Sequence, residues 1–192
     1  MASELHDRLE LALLASNEGV WDWYVGEREI YYSDRVLDFL GYPADKAPNI
    51  ILQARKYFHN NELPELRAAF RKIVKKDGDD TLALDCRYLH PNGSWRWLRI
   101  RGVVVRDDEG MAYRIVGSII DISQRKNAEM ALQEERHRLR ELIENIPINV
   151  YYKDKESRFV LANSSTAEKL GAGAEKDILG KTDRDFFDKR HA

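Results

Sequence analysis

Residues 121–147 constrain the rest of the chain most. They follow an apolar, strand-like run at 113–120 and precede a second set of strand signals that starts at Val150. Between the two, Ala128, Leu132, Glu135, Leu139, Leu142 and Ile146 recur at spacings of 4, 3, 4, 3 and 4 residues. That period matches the narrow seam of a two-stranded coiled coil, not the broad stripe of a helix lying on a core. Asp121 or Ser123 can cap the start of such a helix, and Pro147 ends it. At about 1.5 Å per residue it is expected to span roughly 35 Å. The pattern predicts a globular domain, a rod, and the start of another domain. The alternative is a solvated single helix packed on its own domain, because the seam is short and Glu135 interrupts it.

Composition narrows the function classes. The chain has 192 residues, 43% of them hydrophobic and 33% charged, enough for one complete domain and part of another. Four Trp and nine Tyr supply a packed core. The net charge of −2 comes from interspersed acids and bases, so no basic patch points to nucleic acid and no polybasic run to a membrane surface. No apolar segment approaches the ~20 residues of a membrane span, and no signal peptide is visible. The single cysteine, Cys86, excludes an internal disulfide and a multi-cysteine metal site and fits a cytosolic setting. The parent protein can still be membrane-attached through segments outside these residues.

Read in order, residues 4–16 form an amphipathic helix with Leu5, Leu9, Ala12 and Leu13 on one face. Strands are expected at 20–25 and 28–32, then a short helix at 34–40, capped by Ser33 and stopped at Gly41. Short helices follow up to Phe58, and a longer one at 62–76. Three long antiparallel strands at 81–89, 95–105 and 111–120 complete an α+β domain, with Asn92-Gly93 at the tip of the first hairpin. The middle helices cover one sheet face; the helix at 4–16, or a partner's copy of it, covers the other. After the rod the pattern restarts. Residues 149–153, 158–162, 164–171 and 177–187 echo the two short strands, the capped helix with its glycine stop, and the helical middle. The offset is about 130 residues, which suits tandem domains. The expected division is 1–17 N-terminal helix, 18–123 first domain, 124–146 linker, and 147–192 a truncated second domain.

Several motifs together resemble the PAS superfamily. Gly19-Val20-Trp21-Asp22-Trp23, Tyr31-Tyr32-Ser33 and Leu40-Gly41-Tyr42 look like the opening of a PAS core. Cys86-Arg87-Tyr88-Leu89, the run Pro91 through Trp97, and Gly117 through Ser123 look like the PAC motif that follows it. Asp121-Ile122-Ser123 resembles the family's Asp-Ile-Thr signature, where the output helix leaves the sheet. Asn149 through Asn163, with Gly180 through Phe187, is similar to the first half of another PAS domain. The resemblance implies a five-stranded antiparallel sheet flanked by short helices, with an N-terminal helix and a long C-terminal coiled-coil linker. It implies a non-catalytic sensory module that homodimerises through the N-terminal helix and the linker. The signal then passes to an effector in the parent protein, a histidine kinase or a diguanylate cyclase. Asp121, Ile122 and Ser123 are the expected relay. An empty interaction scaffold and a flavin- or haem-binding redox or gas sensor are the alternatives. No cofactor is the leading expectation.

If a pocket lies between the sheet and the helices of residues 34–76, Leu82, Leu84, Cys86, Leu98, Ile100 and Val104 line it and suit a small-molecule ligand. Cys86 imitates the letters of a flavin-adduct site but sits on a strand, so it is read as a buried inert thiol. His59 is read as a capping or surface histidine, with haem ligation as the alternative, and His137 as a solvated helix residue. Trp21, Trp23, Trp95 and Trp97 are read as core or interface aromatics before flavin contacts. Arg87, Arg99 or Arg101 is expected to pair with Asp121. No paired catalytic carboxylates, activated nucleophile, phosphate loop or metal-spaced cluster stands out.

Overall fold

The computed structural model describes residues 15–187. The chain divides into two compact units, 1–127 and 128–192. The expected helix at 4–16 lies outside the described residues up to position 14.

The first unit opens with β1 (Gly19–Tyr24) and β2 (Tyr31–Tyr32). Helices α1 (Asp34–Leu40), α2 (Ala54–Tyr57) and α3 (Leu63–Ile73) follow. Three long strands close it: β3 (Thr81–Leu89), β4 (Trp95–Arg106) and β5 (Ala112–Asp121). The sheet order is β2-β1-β5-β4-β3, all neighbours antiparallel. Alternation decides the faces, since successive side chains on a strand point to opposite sides. Leu82, Leu84, Cys86 and Tyr88 on β3, and Leu98, Ile100 and Val104 on β4, point inward and are buried. They meet Val36 and Leu40 of α1 and Leu66 and Ile73 of α3 in one core.

Two local expectations give way to longer-range contacts. The second strand shrinks from five residues to two; the Arg28 carbonyl, expected in that strand, accepts instead from the Asn49 side chain at 3.2 Å. Ser33 stands before α1, but its hydroxyl makes no cap bond to the helix. Instead it accepts from the Val20 N–H at 2.9 Å and so ties the helix entry to β1.

The long helix α4 (Ser123–Asn145) follows β5 directly and ends before Pro147, within a residue or so of its expected bounds. None of its side chains is buried. Leu132, Leu139 and Leu142 are about half exposed. No helix among the described residues is long and apolar enough to cross a membrane.

The second unit holds the rest of α4, the hairpin β6 (Tyr151–Lys153) and β7 (Phe159–Ala162), helix α5 (Ser164–Lys169), and two 3-10 turns, Glu175–Asp177 and Asp183–Asp185. Its core is small: Phe159, Ala162, Ala167 and Ile178. The internal repeat holds at the level of single hydrogen bonds. Val20 and Ser33 exchange two bonds, as do Val150 and Asn163, 130 residues later. Gly41 and Gly171 both end their helices in the left-handed region, at φ 76° and 68°.

Candidate functional site: the interior and the helix exit

Trp21 is among the largest fully buried side chains in the interior of the first unit. Gly102 of β4 and Gly117 of β5 lie opposite each other, and Gly117 also faces Trp21 of β1. With no Cβ on Gly102, the Trp21 indole lies close against it. A Cβ on Gly102 would come 3.2 Å from its ring; one on Gly117 would strike the Arg101 carbonyl at 1.9 Å. The indole N–H donates to that same carbonyl at 3.0 Å, which satisfies the ring's only polar group. What remains is a cavity of about 10 Å³ lined by Trp21, Ile30, Tyr32, Ile50, Ile51, Ile100 and Ile119. That is the room of about one water. Ile100 is the sole residue shared with the pocket lining expected from sequence. Leu82, Leu84, Cys86, Leu98 and Val104 are packed into the core around it. A flavin or haem does not fit this interior, since pockets for such groups measure hundreds of Å³.

The polar groups of the core are committed to the backbone. The Tyr32 hydroxyl donates to the Pro48 carbonyl at 3.1 Å and accepts from the Ile50 N–H. The Tyr88 hydroxyl donates to the Leu40 carbonyl at 3.0 Å. Burial pushes both hydroxyls above their ordinary range, and does the same to the Cys86 thiol, which keeps that thiol neutral and unreactive. A separate open cleft of about 540 Å³ lies along the β2 edge, between Arg28, Tyr31, Asp34, Asp45 and Asn49. It went unread in the sequence because its walls come from two separate segments of the chain, residues 28–37 and 44–49.

The helix exit is built from main-chain contacts. The Ile122 N–H donates to the Trp97 carbonyl at 2.8 Å, and the Trp97 N–H donates to the Ser123 hydroxyl at 2.9 Å. The Asp121 carboxylate accepts from the Ser123 N–H at 2.8 Å, so Asp121 caps the helix and Ser123 pins it to β4. Ile122 is buried. The three expected relay residues are therefore brought together.

The arginine expectation is corrected. Arg96, not Arg87, Arg99 or Arg101, stands nearest the Asp121 carboxylate, at 3.9 Å. Strand parity is the reason: Asp121 pairs with Leu98 and so shares its inner face, whereas residues 87, 99 and 101 point outward. Those three have other partners. Arg101 lies 3.6 Å from Glu18. Arg99 grips Asp85 with two bonds of 2.6 and 2.9 Å, and Lys126 of α4 reaches the same carboxylate at 3.5 Å. The Arg99 hydrogen bonds hold the Asp85 carboxyl below its usual range. Trp97 is flanked by Arg87 and Lys126, 5.4 and 5.3 Å from its ring centre. The first turn of α4 is thus held by the outer face as well as by its cap, a clamp the sequence reading missed.

His59 sits at the rim of the outer face. Its Nδ1 accepts from the Asn61 N–H, lies 3.0 Å from Arg87 Nη2, and its ring meets Trp95 edge to face. It does not line the small interior cavity. Arg87 in turn donates to Glu62 Oε1 at 2.6 Å. His137 is exposed on α4, 3.4 Å from Glu141. Among the described residues no group of His, Cys, Asp and Glu could hold a metal ion.

A five-stranded antiparallel sheet flanked by short helices, with a long helix following its last strand, defines a class of α+β domain. The chain belongs to the PAS family: profiles of the PAS fold match residues 29–119 and again residues 143–192. The crystal structure of a sensory box histidine kinase/response regulator from Burkholderia thailandensis superposes with a TM-score of 0.59 at 29% identity, covering 70% of this chain and 98% of that one. Sensor protein FixL of Bradyrhizobium diazoefficiens is 23% identical over 85% of this chain and 32% of its own length. The probable diguanylate cyclase DgcE of Escherichia coli is 24% identical over 92% of this chain and 16% of its own. Virulence sensor protein BvgS of Bordetella pertussis is 41% identical, over 32% of this chain and 5% of its own. The chain spans a third or less of the length of these curated relatives.

Proposed function

We propose that the chain is the sensory PAS–linker–PAS portion of a bacterial signal-transduction protein. Residues 18–123 form the input domain, 124–146 the signalling linker, and 147–192 the start of a second PAS domain. The module is cytoplasmic and non-catalytic, and a histidine kinase or diguanylate cyclase elsewhere in the parent protein supplies the chemistry. The observation that carries this reading is the helix exit. Helix α4 leaves β5 without a loop, its first residues are bonded to β4, and its leucine seam is left for a partner. A change on the sheet alters the strain at Asp121, Ile122 and Ser123, and shifts two paired linker helices between discrete arrangements. With only a small cavity left in the interior, the input is a contact with a protein or with a second copy of the chain, in preference to an interior ligand.

Analytical ultracentrifugation tests the pairing. Wild-type protein is expected to dimerise at micromolar concentration, and Leu139→Glu to be monomeric. Glu135→Leu, which makes the seam continuous, is expected to tighten the dimer at least tenfold. A monomeric wild type, or a Leu139→Glu variant that still pairs, would rule out the linker as the dimer contact. In the parent protein, insertion of seven residues after Glu134 should spare signalling, while insertion of four should break it.

A further inference from the structure

Asn163 is fully buried, and the two ends of its side chain do different work. Its amide oxygen accepts from the Val150 N–H at 3.0 Å, the Thr166 N–H at 3.0 Å and the Thr166 hydroxyl at 2.8 Å. These bonds join β6 to the first turn of α5, inside the second domain. Its amide nitrogen faces the other way. It lies 3.1, 3.2 and 2.8 Å from the carbonyl oxygens of Ile143, Ile146 and Ile148, at the end of α4 and just beyond it. An amide carries two protons, so one of these bonds is shared.

The need for this donor comes from Pro147. In a continuing helix the Ile143 carbonyl would accept from the N–H four residues on, but position 147 has none. The Asn163 amide takes its place. The equivalent residue of the first domain, Ser33, has a hydroxyl that accepts from Val20 in the same way but has no amino group to reach back. Two more contacts fall on the same side of the helix: Arg140 pairs with Glu175, and Glu144 accepts from the Ser164 hydroxyl. Ile143 is partly buried there, while Leu139, Leu142 and Ile146 stay exposed.

We infer that Asn163 is the joint that fixes the end of the linker helix to the second domain. The helix end and the β6–β7 hairpin then move as one body, and a rotation of α4 is delivered to the second domain instead of being lost in a flexible connection. The biological weight of this joint rests on α4 being a relay; its existence does not. The experiment therefore reads the joint without reading dimerisation or output.

Nitroxide labels are placed at Glu134→Cys on α4 and Lys155→Cys in the β6–β7 turn, both exposed positions. Buried Cys86 does not take the label. Labelled chains are diluted with excess unlabelled protein, so that only distances within one chain count. Electron–electron resonance gives the distance distribution, and hydrogen exchange reports residues 140–147 and 151–162. Asn163→Asp keeps the accepting oxygens and removes both N–H groups; Asn163→Ser copies the first domain. Both variants are expected to broaden the distribution and to speed exchange at 140–147 roughly tenfold or more, while 151–162 stays protected. Distributions as narrow as wild type in both variants would overturn the inference. So would loss of protection at 151–162 in the Asp variant, since the amide would then serve only its own domain. A monomeric wild type would instead count against the relay and leave the joint standing.

Discussion

Asp85 illustrates how one outward carboxylate can serve both sheet and helix. It lies directly opposite Arg99 and takes two hydrogen bonds from it, with Lys126 of α4 beside it. Its folded-state pKa is lowered, so its contribution is present above the unfolded carboxylate value near ~3.9 and is lost as pH falls through the folded value. Asp85→Asn is expected to cost about 1 kcal/mol at neutral pH, a figure kept small by partial exposure. The gap to wild type should close as pH falls below about 4, measured by urea midpoints across the pH series. A gap that persists undiminished into the acid range would mean that the residue acts by packing, not by charge. At this scale the sequence was legible only where neighbours decide. The partner of Asp121 could have been read correctly from strand parity, because residues 119 and 121 share a face that residues 87, 99 and 101 do not. The loss of the Ser33 cap could not, since the hydroxyl chose a backbone N–H thirteen residues away.

The elements were read with unequal success, for a physical reason. β3 matches its expected range residue for residue, because buried Leu82, Leu84, Cys86 and Tyr88 fall at every second position between less buried neighbours. Helix α4 was equally plain, with its seam, its cap and its proline stop all local. β2 was overestimated, because the Arg28 carbonyl is taken up by Asn49, a side chain from a distant loop that no local pattern announces. The antiparallel β4–β5 hairpin was expected, but the close approach at Gly102 and Gly117 was not, since it depends on the two falling into register. Gly117→Ala is expected to force those strands apart at the Arg101 carbonyl, costing about 3 kcal/mol or more. Gly26→Ala meets open space and strains only a turn with φ 95°, so about 1–2 kcal/mol is expected there. Equal losses in urea unfolding would show that the strand contact relaxes cheaply.

At the level of the whole molecule, the tandem organisation was legible because the repeat preserves spacing even where identity is low. The filled interior was not, because no local pattern says which aromatic will lie over which glycine. The two units differ in the size of their cores, with four buried hydrophobic residues in the second and many more in the first among the described residues. All four tryptophans, at 21, 23, 95 and 97, belong to the first unit. Tryptophan fluorescence therefore follows that unit alone, while far-ultraviolet circular dichroism follows both. The dichroism signal is expected to show an earlier denaturant transition that fluorescence lacks; coincident curves would mean that the two units unfold together. The Trp21 indole against Gly102 also marks how this interior could change. The small cavity beside it is walled mostly by isoleucines, so a shorter side chain at position 21 would enlarge a dry hollow, not a wet one.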